Sequence, residues 1–176
     1  MYSEYLLIGE VLRPQGVRGQ VKVRPDTDDP ARFLQLETVY LKKGNTYEPC
    51  VIEDAEARAD GFVYCRLNAA QTRDDAEKQR GWMLYVDRAH AVELEEGQYF
   101  ISDLLDCRVL DQQGKELGIL TDVLQPGAND VYQIKLKNGK TMLLPVLPFV
   151  IREVRVREGM IIVDEERLAE VAVFED

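Results

Sequence analysis

Short runs of apolar residues, many of them alternating with polar ones, recur along this chain and are separated by turn residues. In the first half these runs predict strands at residues 5–12, 20–24, 39–41, 48–57, 62–67 and 83–86. Successive side chains of a strand point to opposite faces, so Val21 and Val23 fall on one face while Lys22 and Arg24 fall on the other. Short strands at this spacing are typical of barrels and sandwiches.

The second half repeats the pattern, with strands predicted at residues 107–110, 117–124, 131–136, 140–144, 149–156 and 160–163. The pair Asn138-Gly139 between two of these runs is a strong hairpin signal, because both residue types tolerate positive φ. The tail, residues 165–176, is predicted either as a short helix or as a frayed end.

Two short helices interrupt the strands of the first half. Asp29 followed by Pro30 predicts an N-cap and a first helical position, and hence a helix over residues 30–36. Thr72, with Asp75 three residues later, resembles a capping box and predicts a helix over residues 72–80 that ends at Gly81.

The periodic pattern fades after Val86, where a polar stretch up to Gly97 is typical of a linker. We therefore predict an all-β protein of two small β-barrels joined by a short linker, with a few short helices. The predicted N-terminal barrel spans residues 1–88, the linker 89–98 and the C-terminal barrel 99–176. A hydrophobic content of 45% is ample for a core in each half.

The charge pattern points to one basic surface on an acidic protein. The formal net charge is −10, yet no acidic residue occurs from Val11 to Pro25, a stretch that carries four cations: Arg13, Arg18, Lys22 and Arg24. A local reversal of sign on a strand pair predicts a docking surface for an anion, either RNA or an acidic face of a protein. The glycines within and before this stretch fit a hairpin loop, because the next element is a strand and nucleotide-binding glycine motifs require a helix.

Nothing in the sequence predicts catalysis. The three cysteines have neither CxxC nor metal-ligand spacing, and we interpret them as reduced, buried thiols of a cytoplasmic protein. The single histidine, His90, lies in the predicted linker with no nucleophile arrangement beside it. No apolar run approaches the length of a membrane span. We therefore expect no enzyme activity, no cofactor, no metal site and no membrane association.

Two adjacent aromatic residues, Tyr99 and Phe100, open the second half. Two readings stay open for this pair. Both rings pack at the junction between the halves, or they anchor a protein partner, since aromatic residues are favoured at interface hot spots.

Four segments in order give the chain its resemblance to a known family. The first is the glycine-spaced stretch 9–23 followed by Thr27-Asp28, and the second is GQYFISDL at residues 97–104. The third is GANDV at 127–131, and the fourth is LLP at 143–145 with PFV at 148–150 and a valine-rich hairpin that ends at Val163-Asp164. In these segments the chain resembles the ribosome maturation factor family RimM over nearly its whole length.

The resemblance implies an N-terminal barrel similar to that of translation elongation factors and some reductases, and a C-terminal PRC-type barrel. It implies a non-catalytic factor that assists assembly of the head of the small (30S) ribosomal subunit and processing of 16S rRNA. The implied partners are a ribosomal protein of that head, the nineteenth in the small-subunit naming, together with the immature subunit and its 16S rRNA. The resemblance implicates Tyr99 and Phe100 in binding the protein partner. Our hypothesis is that this pair anchors the ribosomal protein and that four cations contact rRNA phosphates: Arg13, Arg18, Lys22 and Arg24. We expect a monomer.

The chain departs from the family pattern at three places. Phe100 replaces a frequent tyrosine, Asp106 replaces a usual glycine, and Glu166-Arg167-Leu168 occupies the region of a common Gly-Leu ending. Two other functions compete with the family reading. One is an enzyme with a flavin or nucleotide pocket in the first barrel, and the other is a membrane-associated scaffold, because PRC-type barrels also resemble a domain of photosynthetic reaction centres.

Overall fold

The structure is a computed structural model that describes residues 2–176. Its backbone contacts divide the chain into two compact units. The N-terminal unit is Glu4–Glu93, and the C-terminal unit is Leu94–Asp176 together with Tyr2 and Ser3. The division at Glu93 falls inside the predicted linker, and each unit is described here by itself.

The N-terminal unit is a closed, six-stranded antiparallel barrel. Its strands are β1 (Tyr5–Gln15), β2 (Gln20–Pro25), β3 (Thr38–Lys43), β4 (Thr46–Ala57), β5 (Val63–Leu67) and β6 (Met83–Asp87). They follow the order β1-β2-β5-β4-β3-β6, and β1 closes the barrel by pairing with both β2 and β6. Register shifts after Leu7 and after Val11 allow this long strand to bend around the barrel, which is a usual role of bulges.

The barrel core follows the predicted alternation. Val21 and Val23 of β2 are fully buried, and Lys22 between them faces outward. A 3₁₀ helix, Pro30–Gln35, adds Phe33, whose side chain is fully buried. The Asp29 carboxylate caps this helix by accepting a hydrogen bond from the backbone N–H of Ala31 at 3.0 Å, as its sequence position predicts.

The second predicted helix is present but shorter than its sequence suggested. It is α1 (Arg73–Glu77), and Thr72 and Asp75 form the predicted capping box, with both reciprocal bonds at 3.1 Å. The helix ends at Glu77, before the predicted stop at Gly81, which has a φ of +81° in the turn that follows.

The C-terminal unit contains a seven-stranded sheet that wraps one hydrophobic core. It begins with α2 (Ile101–Leu104), followed by β7 (Arg108–Leu110), β8 (Glu116–Leu124), β9 (Val131–Leu136), β10 (Thr141–Pro145), β11 (Ile151–Arg155), β12 (Met160–Val163), α3 (Glu165–Val171) and β13 (Val173–Glu175). The strand order is β11-β12-β7-β8-β9-β10-β13, and only the β12–β7 pair is parallel. The fold class is therefore all-β with two barrel-like domains and short helices, which confirms the prediction.

The tail forms ordered structure, and this resolves the alternative left open by the sequence. The Asp164 carboxylate caps α3 by accepting from the backbone N–H of Arg167 at 3.2 Å, and it also accepts from Arg152 at 2.5 Å. These hydrogen bonds, the one from Arg152 foremost, lower the pKa of Asp164. After the helix, β13 pairs with β10. The sequence did not predict this strand, because an alternation of only three residues is too short to be recognised.

Candidate functional site

The loop between β1 and β2 is held by three contacts from the segment after β5. The guanidinium of Arg73 donates to the carbonyl of Gly16 at 2.9 Å, and that of Arg80 donates to the carbonyl of Leu12 at 3.0 Å. Gly19 packs so closely on Ala70 that a Cβ at this glycine would lie 2.2 Å from the Ala70 carbonyl oxygen. The tip of the hairpin is therefore a supported loop, which we call the basic hairpin (residues 13–24).

Arg13 and Arg18 are the free cations of the basic hairpin. Both side chains are exposed, and within residues 2–176 no carboxylate lies at ion-pair distance from either. Val17 beside Arg18 is 73% exposed, so the loop tip projects into solvent. An exposed, uncompensated guanidinium is available for a bidentate contact with a phosphate.

Lys22 is placed differently from the sequence expectation of an open, cationic face. Its side chain is only 14% exposed, and its ammonium lies 3.6 Å from the Asp60 carboxylate and 3.8 Å from the centre of the Phe62 ring. Asp60 also accepts a hydrogen bond from the Tyr64 hydroxyl at 2.7 Å, and this bond is the main reason that the pKa of Asp60 is lowered. The Lys22 ammonium therefore already has an anionic and an aromatic partner within the N-terminal barrel.

Arg24 is likewise partnered, because Glu10 on the neighbouring strand forms an ion pair with its guanidinium. The strand register places these two residues directly opposite each other. Of the four predicted rRNA-contacting cations, the structure therefore leaves Arg13 and Arg18 uncompensated, and it neutralises Lys22 and Arg24. All four remain on one hairpin.

The aromatic pair lies in the C-terminal unit, after a tight turn. Gly97 has a φ of +83°, and the backbone N–H of Gln98 donates to the carbonyl of Glu95 at 3.0 Å. Tyr99 follows this turn with 36% of its surface exposed, and Phe100 is half-buried at the N-cap position of α2. The turn and the helix hold the two rings at a defined place on the surface of this unit.

Tyr132 lies behind the exposed aromatic ring. Its side chain is buried in the core, and this burial raises its pKa, with a smaller contribution from the nearby hydroxyl of Tyr99. Tyr99 therefore lies close enough to Tyr132 for their hydroxyls to interact electrostatically. An aromatic side chain has few rotatable bonds and loses little conformational entropy on binding, which is favourable for an anchor.

The chain before the aromatic pair is acidic and exposed. Glu93, Glu95 and Glu96 are all exposed, and none of them pairs with a cation within the described part of the chain. Leu94, in the same stretch, is 40% exposed. An apolar and aromatic patch beside free carboxylates suits a partner that is itself basic.

The remaining candidate chemistry is structural. Cys50, Cys65 and Cys107 are free and buried, and burial raises the pKa of Cys50 to about 11 and that of Cys65 to about 12. Among residues 2–176, no group of three or more His, Cys, Asp or Glu side chains is placed to hold a metal ion. None of the helices in the same range has the length and apolar character needed to cross a membrane.

Sequence reasoning missed the two arginines that support the basic hairpin. Arg73 and Arg80 flank α1 and reach back to carbonyls far away in the chain. The only feature of the sequence that could have pointed to these two arginines is their position in or at the end of a predicted surface helix. The sequence gives no indication of which carbonyl each guanidinium contacts, because that depends on barrel closure.

The chain thus combines a closed barrel that carries a supported basic hairpin with a second β-unit that carries an exposed aromatic surface. Residues 6–91 match the family model described as the RimM N-terminal domain, and residues 96–168 match that of the PRC-barrel domain. The chain belongs to the RimM family.

The similar proteins cover nearly the whole chain. A ribosome maturation factor RimM from Ruminiclostridium cellulolyticum is 38% identical over 90% of this chain and 93% of its own length. One from Caldanaerobacter subterraneus is 39% identical over 92% and 96%. A RimM crystal structure from Pseudomonas aeruginosa covers 91% of this chain and 96% of its own, with 24% identity and a TM-score of 0.45.

Proposed function

We propose that this protein is a ribosome maturation factor that acts by binding, without catalysis, during assembly of the head of the small ribosomal subunit. The observation that carries the proposal is family membership across both domains. In this proposal the protein works in the cytoplasm as a monomer. It holds a head ribosomal protein and the immature subunit, with its 16S rRNA, until the head has folded.

The aromatic surface of the C-terminal unit is the proposed site for the ribosomal protein. Tyr99 offers an exposed ring on a fixed backbone, and Phe100 continues the same apolar surface into the unit. The free carboxylates of Glu93, Glu95 and Glu96 favour a basic partner, and ribosomal proteins that contact rRNA are basic. Phe100 supplies only apolar contact, so Tyr99 carries any hydroxyl contact of the pair.

Changing Tyr99 and Phe100 together to alanine is expected to weaken binding of the nineteenth small-subunit ribosomal protein by about 30-fold or more, because aromatic anchors dominate interface energetics. Isothermal titration calorimetry with the purified ribosomal protein measures this change. Phe149→Ala is the control, since Phe149 is an aromatic residue of similar exposure (44%) in the same unit. If the double variant melts like the unchanged protein and binds with the same affinity, the anchor role is wrong.

The basic hairpin is the proposed contact with 16S rRNA. Arg13 and Arg18 are the members available to phosphate, while Lys22 and Arg24 contribute to the local field through pairs that already exist. The rRNA contact is therefore a focused one, as the acidic overall charge requires.

Arg18→Glu is expected to weaken association with precursor small subunits about fivefold at low salt and much less at high salt, because salt screens exposed charges. Co-sedimentation with isolated precursor subunits through a sucrose gradient, at several salt concentrations, measures the effect. Arg167→Glu makes the same change of charge on an exposed arginine of α3 and controls for net charge. Equal loss at every salt concentration, or equal loss in both variants, would argue against a phosphate contact at Arg18.

A further inference from the structure

A cleft of about 340 Å³ opens on the outside of the N-terminal barrel, between the β3–β4 turn and the start of β6. Its lining combines aromatic, apolar, basic and glycine residues: Leu41, Lys42, Lys43, Gly44, Gly81, Trp82, Met83 and Tyr85. We call it the aromatic cleft. A Cβ at Gly44 or Gly81 would touch nothing within 4 Å, so open space adjoins the backbone of both turns.

Two aromatic residues line the aromatic cleft, Trp82 and Tyr85, and Tyr85 belongs to a row of tyrosines on the outside of the barrel. Leu41 and Leu84 point into the barrel core, so their neighbours Tyr40 and Tyr85, which pair across β3 and β6, face outward. Tyr85 contacts Tyr47 edge to face at 5.2 Å between ring centres, and Tyr47 stacks on Tyr5 at 4.0 Å with an interplanar angle of 16°. The outer face of four strands therefore carries a connected row of tyrosines that ends at the cleft.

The charge of the aromatic cleft is positive. Its only charged lining residues are Lys42 and Lys43, with no carboxylate among them. Lys43 pairs at 2.5 Å with Glu48, on the strand beside it, whereas Lys42 has no carboxylate at ion-pair distance within the described residues. On a protein of net charge −10, this is a second local reversal of sign, separate in sequence from the basic hairpin.

The aromatic cleft is continuous with the basic hairpin through the backbone of β1. The N–H of Val11 donates to the carbonyl of Trp82, and the N–H of Gly81 donates to the carbonyl of Val11, both at 2.8 Å. Arg80 bonds the carbonyl of Leu12, and Arg13 is the next residue of β1. Arg13, a free cation of the basic hairpin, is therefore two residues along β1 from Val11, whose backbone is bonded to the residues that line the cleft.

We infer that the aromatic cleft binds an unpaired base of single-stranded RNA. The base stacks on Trp82 and Tyr85, and the lysines at the rim, Lys42 foremost, face the adjoining phosphates. Stacking on aromatic rings in a basic groove is how proteins hold single strands without reading their sequence. A peptide of acidic residues would satisfy the lysines but has no aromatic ring to stack on the cleft, and paired bases in a duplex are already stacked. The inference rests on the proposed rRNA contact and specifies that the bound RNA is single-stranded.

The chain provides its own probe for this inference, because Trp82 is its single tryptophan. The full-length protein is titrated at low salt with an adenine-rich single-stranded RNA of about ten nucleotides, a length within the usual site size. The same RNA as a duplex and polyglutamate are titrated in parallel. The expected result is quenching of tryptophan fluorescence by the single strand alone. No quenching, equal quenching by the duplex, or quenching by polyglutamate would each overturn the inference.

Variants separate stacking from charge. Tyr85→Ala is expected to weaken binding of the single strand about tenfold, and Lys42→Gln to weaken it and to lower the salt dependence. Lys135→Gln, at an exposed lysine of β9 in the other unit, is the matched control and should leave binding unchanged. Equal affinity of all three variants would refute the assignment. If the quenching fails while Arg18→Glu still impairs association with precursor subunits, only the cleft assignment is wrong. If quenching persists without that association, the proposed function is wrong instead.

Discussion

Gly19→Ala is expected to destabilise the N-terminal unit by about 3 kcal/mol or more, among the largest effects of any single substitution in the chain. Two causes add together. The φ of Gly19 is +85°, which costs an alanine about 1–2 kcal/mol. Its new Cβ would also lie 2.2 Å from the carbonyl oxygen of Ala70 and 2.8 Å from the nitrogen of Gln71. These are backbone atoms, so relief requires the hairpin or the segment after β5 to move.

Gly16→Ala is the matched control for this prediction. Gly16 lies in the same loop with a φ of +66°, but a Cβ there would meet nothing within 4 Å. We expect a loss of about 1 kcal/mol, from the backbone conformation alone. Urea unfolding followed by Trp82 fluorescence reports on the N-terminal unit, which contains the only tryptophan. Similar midpoints for the two variants would show that the contact between Gly19 and Ala70 is not tight.

The contact of Gly19 also bears on function. It fixes one end of the loop, and Arg73 and Arg80 fix the other by binding carbonyl oxygens. Arg18 consequently projects from a supported backbone, so the proposed contact with a phosphate would cost less conformational entropy. Supporting side chains of this kind explain why several cations cluster near the hairpin although only Arg13 and Arg18 are free.

Local signals in the sequence predicted the local structure well. The capping residues Asp29 and Thr72 both make the hydrogen bonds expected of them, and Asn138-Gly139 forms the turn between β9 and β10. Each of these features depends on residues within a few positions of each other. The alternation of apolar residues also identified Val21 and Val23 as core, because both lie on the face of β2 that packs into the barrel.

Features that depend on distant residues were not predictable. The alternation in β2 correctly predicts that Lys22 lies on the outer face of the strand. It does not predict which residues cover that face. Asp60, Phe62 and Tyr64 reach it only because β2 pairs with β5 in the closed barrel. The aromatic cleft was missed for the same reason, as Lys42 and Trp82 come together only across the β3–β6 pairing.

The departure at Asp106 from a usual glycine has a structural counterpart. Asp106 adopts a φ of +67°, and its backbone N–H donates to the carbonyl of Leu120 at 2.9 Å. Aspartate is among the few residue types other than glycine that enter this region at modest cost. Asp106 thus occupies a backbone conformation that favours glycine.

Phe33→Ala is expected to destabilise the N-terminal unit by about 3–5 kcal/mol, because it removes the largest fully buried side chain of the barrel. The Phe33 ring comes from a short 3₁₀ helix and packs where β1 has no side chain. Its Cζ atom lies 3.1 Å from the position that a Cβ of Gly9 would occupy. Close packing on a glycine leaves little freedom for neighbouring groups to collapse into the cavity, so the loss should lie toward the upper end of this range.

Leu34→Ala provides the control, since Leu34 is the next residue of the same helix but is 53% exposed. We expect this variant to change the free energy of unfolding by no more than about 0.5 kcal/mol. Urea unfolding followed by Trp82 fluorescence again isolates the N-terminal unit, and far-UV circular dichroism follows the whole chain. A Phe33→Ala midpoint close to that of Leu34→Ala would mean that the Phe33 side chain is not packed in the barrel core as the structure shows.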